Sequence, residues 1–193
     1  MNKKLIGLCG VGLTTLLCTV NALADSSPQG FYLGADLGYS GVKQTVSNPP
    51  ATKQKNTGFG FDVLGGYSFN QYLGAELGYT EFANASYGNG ITSKNNYAID
   101  VAAKGTMPLE GGFSLFGKLG LASVHHKLNV PAGTTPAVSN TGSFSRYAPY
   151  LGAGASYQVS ENVAANLQVT GTTKQGPVPG MYLVAAGLTF NFQ

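Results

Sequence analysis

Acidic residues stand inside apolar stretches of this 193-residue sequence, where an unpaired charge is costly to bury. Residues 61–79, FDVLGGYSFNQYLGAELGY, carry two of them, Asp62 and Glu76, on either side of a turn predicted at Asn70-Gln71. A buried carboxylate needs a partner of opposite charge, so its chemistry depends on which other charged groups it meets. The secondary-structure elements that carry these residues determine which charged groups can meet.

Serine and histidine form a second group that could do chemistry. His125 and His126 are the two histidines of the sequence, and Ser123 shares a face with His125 if the chain alternates. A hydrolase that uses such a pair also needs a carboxylate to orient the histidine. The nearest one, Glu81, lies two predicted strands away, about 10 Å at the usual strand spacing. We therefore predict two histidines at the edge of a loop, and no enzymatic activity.

Composition argues against several other classes of function. Charged residues make up 10% of the chain, against about 25% in ordinary soluble domains. The net charge of +3 falls to +1 (3 − 2) without Lys3 and Lys4, which gives no reason to expect nucleic acid as a partner. No convergent set of metal ligands is evident, and Gly58-Phe59-Gly60 lies inside a predicted strand instead of at a nucleotide-binding turn. We predict neither a metal nor any other cofactor.

The first 24 residues have the form of a secretory signal peptide. Lys3 and Lys4 precede an apolar stretch, and Ala22-Leu23-Ala24 matches a cleavage site. We predict cleavage after Ala24, which divides the chain into a signal peptide, 1–24, and one domain, 25–193. Both cysteines, Cys9 and Cys18, would leave with the signal peptide.

Alternation with a period of two predicts strands along the remaining chain. Three of the predicted connections are tight, at 70–71, 108–112 and 158–162. The others are long and polar at 41–57, 83–95 and 125–145, and shorter at 173–180. Short turns at one end and longer loops at the other are typical of an all-β, eight-stranded antiparallel up-and-down transmembrane barrel. The eight predicted strands are 30–40, 58–69, 72–82, 96–107, 113–124, 146–158, 163–172 and 181–192.

The two faces of the predicted strands differ in composition. One face is apolar with aromatic residues at its ends, and the other holds glycine, small polar residues and a few charges. An eight-stranded barrel has room inside only for packed side chains, so we assign the apolar face to lipid. Glu81 is the single charge on that face, at the outer end of a strand. The inward face then carries a lumenal charge network of four acids and three bases: Asp36, Asp62, Glu76, Asp100, Lys104, Lys118 and Arg146.

Three stretches carry a family resemblance. They are FYLGADLGYS near the start of the domain, GGYSFNQYLGAELGY in the second and third strands, and LGAGASYQVSENVAANLQVT in the sixth and seventh. With them, the chain resembles the small eight-stranded outer-membrane barrels, most closely the membrane domain of the OmpA family. The last strand, ending GLTFNFQ, also resembles the C-terminal signal read by the barrel-assembly machinery, with Gly187, Phe190 and Phe192 in the signal positions.

The resemblance implies an ion-pair network that plugs the lumen. Its positions fall on Glu76, Lys104, Ser156 and Asn166, of which the first two keep their acid and base. The predicted turn at 158–162 sets Ser156 opposite Asn166, a neutral pair. We therefore expect a fixed pair between Glu76 and Lys104, with no second pair competing for either partner. The family's peptidoglycan-binding domain is not expected, because the sequence ends at the barrel.

The expected function follows from this resemblance. It implies a bacterial outer-membrane protein with a structural or surface-interaction role, such as an adhesin or antigen. Its partners would be outer-membrane lipid and lipopolysaccharide, the barrel-assembly machinery and host surface molecules. The basic cluster Lys43, Lys53 and Lys55 in the first long loop could touch phosphates or host polyanions. A small solute pore is an alternative, and a lipid A-modifying hydrolase using Ser123 and His125 is another.

Overall fold

The computed structural model describes residues 29–43, 56–86, 92–129, 142–176 and 178–192. The predicted signal peptide and its cleavage site lie outside these residues, and so do Lys53 and Lys55 and the centres of the loops predicted at 41–57, 83–95 and 125–145. Within the described ranges, we find no helix with the length and apolar character needed to cross a membrane.

Nine β-strands and one short 3-10 helix, Glu110–Gly112, make up the described chain. The strands are β1 (Gly30–Lys43), β2 (Thr57–Ser68), β3 (Leu73–Phe82), β4 (Ala85–Ser86), β5 (Thr92–Pro108), β6 (Phe113–Asn129), β7 (Gly142–Ser160), β8 (Val163–Thr172) and β9 (Gly180–Asn191).

The sheet closes on itself. Long strands that follow one another pair antiparallel, β3 pairs with β5, and β1 pairs with β9. The two-residue strand β4 pairs with the end of β5 that lies beyond β3. The wall therefore consists of eight strand positions, and the prediction of an eight-stranded antiparallel up-and-down barrel is confirmed.

The hairpin of β6 and β7 extends farther than predicted. Residues 125–128 pair with residues 142–145, so the prediction of a loop over 125–145 is wrong at both ends. The chain from 92 to 95 likewise belongs to β5. Apolar alternation marks strands where one face meets lipid and the other a core. Once a hairpin extends beyond the bilayer, both of its faces can be polar while the strands stay paired. The apolar alternation that predicts strands is then lost.

Outward and inward faces differ in the way that the alternation predicts. Outward side chains such as Leu37, Leu77 and Leu121 are 58–64% exposed, forming a surface suited to lipid. Inward glycines make room for larger groups. A Cβ on Gly66 would overlap the ring of Tyr32, and a Cβ on Gly78 would lie 2.6 Å from Oδ2 of Asp100. Small residues on one strand thus provide the space that large residues on its neighbours fill.

The interior has two parts. The half nearer the tight turns contains the charged side chains. The half nearer the long loops is tightly closed, mainly by apolar side chains, which the alternation did not indicate, and Asn96, His126 and Thr172 are buried at the same end. Its main side chains are Val42, Phe82, Val124, Tyr150, Val178, Met181 and Leu183, with Phe144 packed against them.

Strand topology predicts the orientation in the membrane. With tight turns in the periplasm, as is usual for such barrels, the loops 41–57, 83–95, 125–145 and 173–180 face the outside. We expect a cysteine at exposed Lys174 to react with a membrane-impermeant maleimide on intact cells, and cysteines at Asn70 and Glu161 to react only after lysis. Labelling of Asn70→Cys or Glu161→Cys in intact cells, with Lys174→Cys protected, would reverse the orientation.

Candidate functional site

Glu76 is the centre of a buried ion cluster in the lumen. Its Oε1 lies 3.1 Å from Nζ of Lys104 on β5, and its Oε2 lies 2.7 Å from Nζ of Lys118 on β6. The hydroxyl of Tyr32 on β1 donates a hydrogen bond of 2.9 Å to Oε1. One carboxylate on β3 therefore connects three other strands of the wall across the lumen.

Aromatic rings complete this layer. Nζ of Lys104 lies 4.9 Å from the ring centroids of both Tyr32 and Phe116, and Nζ of Lys118 lies 5.5 Å from that of Phe116. Ammonium groups at such distances are attracted by the faces of the rings. The layer is filled by side chains that stabilise one another, and Lys104 borders an opening of about 180 Å³ on its tight-turn side.

A second polar layer lies farther toward the loop end and contains three more acids. Asp36 and Asp62 are directly opposite each other on β1 and β2. Nε2 of Gln168 on β8 donates to both, at 2.9 Å to Asp36 and 3.3 Å to Asp62. Thr80 donates to Oδ1 of Asp62 at 2.8 Å, and Asp100 is buried nearby on β5. Neutral hydrogen-bond donors, instead of lysines, thus hold Asp36 and Asp62.

The structure brings together most of the residues predicted for the lumen. Asp36, Asp62, Glu76, Asp100 and Lys118 are buried, and Lys104 is partly buried.

One of the expectations is wrong. Arg146 is exposed, and it lies on the part of β7 that extends beyond its last pair with β8. The expected pair of Glu76 with Lys104 is present at 3.1 Å, and Lys118 joins it as a second base that the sequence did not assign to Glu76. Ser156 does lie opposite Asn166, as the turn predicts. Nδ2 of Asn166 donates to Oγ1 of Thr189, so this position takes no part in the ion cluster.

Sequence reasoning missed the neutral members of the site. Tyr32 and Gln168 hold the carboxylates as directly as the lysines do. Both stand at inward positions of the alternation, so attention to long neutral polar side chains on that face would have found them. The sequence predicted the apolar layer less well, because Val42 lies within a segment predicted as a loop.

The two histidines are strand residues, so their prediction as loop-edge residues is wrong. His125 stacks on Tyr97 at 4.8 Å between ring centroids, and its Nδ1 lies 2.8 Å from Oγ of Ser145 instead of bonding Ser123. Register places Tyr97 between Glu81 and His125. His126 is buried and bonds Asn96 at 3.0 Å. Within the described ranges, no three histidines or acids are placed to bind a metal.

The residues of the predicted assembly signal lie in β9 or directly after it. Phe190 and Phe192 face lipid with their rings 5.0 Å apart. Gly187 faces inward, where a Cβ would overlap the backbone of Ala35 and the carboxylate of Asp36. Recognition of these residues by the barrel-assembly machinery remains a prediction.

The sharing of Glu76 by two lysines predicts unequal effects of substitution. Glu76→Gln leaves two lysines without their carboxylate and should lower the free energy of unfolding by about 3–5 kcal/mol. Lys118→Met leaves Glu76 with Lys104 and the Tyr32 hydroxyl and should cost less. Urea unfolding in liposomes measures both, with Glu81→Gln on the outward face of β3 as a control expected to change stability by about 0.5 kcal/mol at most.

The double variant Glu76→Gln/Lys118→Met tests the contact itself. Its destabilisation should be smaller than the sum of the two single effects, because each change removes the same interaction. Additive effects would mean that Lys118 does not stabilise Glu76.

Known proteins resemble this chain in sequence and in fold. Outer membrane protein A of Salmonella typhi is 25% identical over 197 residues, which cover 94% of this chain and 54% of that protein. This chain therefore spans about half the length of that relative. The crystal structure of Neisserial surface protein A (NspA) covers 87% of this chain and 100% of its own, with a TM-score of 0.58 and 17% identity. That of Ail, the attachment invasion locus protein of Yersinia pestis, covers 84% and 100%, with a TM-score of 0.52 and 20% identity.

At such identities, the two structures show a likeness of fold alone. The match to a protein family shows more than a likeness of fold. The family described as the outer membrane protein beta-barrel domain matches residues 11–192, nearly the full chain. Together with the closed eight-stranded wall and its lipid-facing outer surface, this match shows that the chain belongs to the outer membrane protein beta-barrel domain family and is a β-barrel of the bacterial outer membrane.

Proposed function

We propose that this barrel conducts no ions and works through surface interactions at its loop end. The observation that carries the proposal is the filled lumen. An ion passing through would have to displace the Glu76 cluster, then the second acidic layer, and then the apolar half of the interior.

The apolar layer is the stronger of these barriers. Val42, Val124, Met181 and Leu183 are at most 2% exposed, so water has almost no access to them. Moving an ion from water into such surroundings is prohibitive. A polar lumen can conduct by exchanging ion pairs, whereas the buried polar groups described at this level, such as the hydroxyls of Thr170 and Thr172, carry no charge to exchange.

Charge is distributed unequally between the two ends of the barrel. Glu110 and Glu161 lie at the tight turns. The loop end and its strand extensions carry most of the basic residues that the structure describes, at positions 43, 94, 127, 146 and 174. By sequence, Lys53 and Lys55 belong to the first predicted loop at the same end. Such a surplus attracts anionic partners over distances of about 10 Å at moderate salt.

The exposed side chains of Lys43, Arg146 and Lys174 form what we call the basic crown. Its charge favours an anionic polysaccharide as the surface partner. The Ail structure was determined in complex with the heparin analogue sucrose octasulfate, a ligand of the same chemistry. Among the surface roles open to this family, adhesion to sulfated polymers therefore has specific support in the charge of this chain.

Planar bilayers test the closed lumen. We expect no steady current from the wild-type barrel. Met181→Gly/Leu183→Gly removes two inward side chains of the dry layer and should raise conductance. Val184→Gly/Leu188→Gly, on the lipid-facing side of the same strand, serves as the matched control and should not. A steady wild-type current would favour the small-solute pore.

Binding of fluorescent heparin to proteoliposomes tests the surface role. We expect saturable binding that weakens with salt and falls several-fold in Lys43→Gln/Lys174→Gln, because each change removes one charge of the basic crown. Glu110→Gln, at the tight-turn end, is the control and should bind like the wild type. Equal binding by all three proteins would contradict a role of the basic crown.

A further inference from the structure

We propose that the tight-turn end of the lumen contains a binding site for a compact oxyanion, the size of a carboxylate or phosphate group. The site is the opening of about 180 Å³ beside Lys104, which we call the mouth pocket. The proposal depends on the ion cluster around Glu76 and on neither the closed lumen nor the basic crown. Measurements of conductance or of heparin binding therefore leave it standing.

The ion cluster holds one more positive charge than its carboxylate can balance. Lys104 and Lys118 lie directly opposite each other on β5 and β6, and both of them contact Glu76. Like charges placed opposite each other weaken a sheet. The single carboxylate offsets one of the two bases, so the cluster keeps a net charge of +1 (2 − 1). An anion bound beside the cluster would offset the other base.

Lys104 is the base that borders the opening. Its side chain is 19% exposed, against 2% for Lys118, and of the two it is the one that lines the mouth pocket. The ring faces of Tyr32 and Phe116 attract its ammonium group and help to hold it in place. An ammonium group has three hydrogens to donate, and the contact with Glu76 uses one of them. Lys104 can therefore bind a second acceptor from the mouth pocket.

The other polar groups around the mouth pocket are suited to an anion. Oδ1 of Asn70 already accepts hydrogen bonds from the backbone N–H groups of Tyr72 and Leu73, at 2.8 and 2.9 Å. What Asn70 offers to a ligand is therefore its NH2 group, a donor. Among the described residues, no acid lines the mouth pocket. Its neutral polar lining residues are Ser68, Asn70, Gln71, Thr106 and Ser114.

Gly74 leaves space beside the lysine. It is paired with Lys104 on β5 and with Ser68 on β2, so a larger residue there would project toward the mouth pocket. A Cβ on Gly74 would lie 3.0 Å from the backbone oxygen of Tyr67, closer than ordinary contact. A volume of about 180 Å³ has room for a carboxylate or phosphate group with a few water molecules. The mouth pocket thus fits a single anionic group.

The buried aspartates of the second polar layer lie farther from the mouth pocket than the lysines do. Asp100 is four residues from Lys104 along β5, about 13 Å at the usual rise of a strand. Lys118 is at the level of Lys104, because the two residues are paired. The interaction between charges weakens with distance, so the two lysines and Glu76 decide which charge the mouth pocket attracts.

Calorimetric titration of the folded barrel with acetate and with inorganic phosphate, in a zwitterionic detergent at constant ionic strength, tests the site. We expect saturable binding of one anion per barrel. Lys104→Gln should weaken binding at least about tenfold, because it removes a charge-assisted hydrogen bond. Thr106→Val/Ser114→Ala keeps the charge and should weaken binding about fivefold for each hydroxyl that bonds the anion. Wild-type affinity in both variants would overturn the proposal.

Lys174→Gln is the matched control for charge. It removes one positive charge at the opposite end of the barrel and should bind acetate and phosphate like the wild type. A loss of affinity equal to that of Lys104→Gln would mean that the anions respond to the overall charge of the barrel, which would overturn a defined site.

Glu76→Gln separates anion binding from the structural role of the cluster. This substitution should destabilise the barrel, but it leaves Lys104 without its carboxylate, so the folded variant should bind the anion several-fold more tightly than the wild type. Phosphate should then raise the urea midpoint of Glu76→Gln by more than that of the wild type. Affinity equal to or below that of the wild type would overturn the proposal.

Comparison of probes distinguishes the sources of such an oxyanion. N-acetylalanine represents the carboxylate end of a peptide chain, and inorganic phosphate represents free phosphate. Tighter binding of either one assigns the mouth pocket to that source. The amide of N-acetylalanine has the same shape without the charge and should not bind, and amide binding as tight as that of the acid would overturn the proposal.

Discussion

The narrowness of an eight-stranded lumen is the constraint on which the rest of this structure depends. A closed wall of this size leaves space for packed side chains and little else, so every inward group must find its partner across the lumen. Glu76 meets that requirement with two lysines and a tyrosine hydroxyl, each from a different strand. The glycines at positions 66 and 78 follow from the same constraint, since larger residues there would displace Tyr32 and Asp100.

The two halves of the interior have different roles. Near the tight turns, charges fix which strands can face one another, because a shift of register would separate Glu76 from Lys104 and Lys118. Near the loops, Met181, Leu183 and Val124 exclude water. The charged layers that fix the register of the strands and the apolar layer that excludes water therefore follow one another along the barrel axis.

Sequence predicted the features that lipid imposes. Alternation located the eight strands and the inward face, because any charged residue facing lipid would be costly at mid-depth. It did not predict contacts across the lumen, since a period of two assigns a face but not an opposite neighbour; Lys118 was placed inside without being assigned to Glu76. It also failed where lipid ends. The extensions of β6 and β7, the exposure of Arg146 and a β-bulge in β5 between positions 94 and 97 all lie where no apolar face is required.

The unequal height of the wall has a consequence for how this protein meets its surroundings. Residues 142–149 of β7 continue beyond the last pair with β8, which at the usual rise is about 26 Å of strand along the hairpin. Among the described residues, the hairpin of β6 and β7 therefore rises farther than β8 does. In a leaflet covered with sugar chains, the backbone ladder of this hairpin would carry its exposed side chains into the sugar layer.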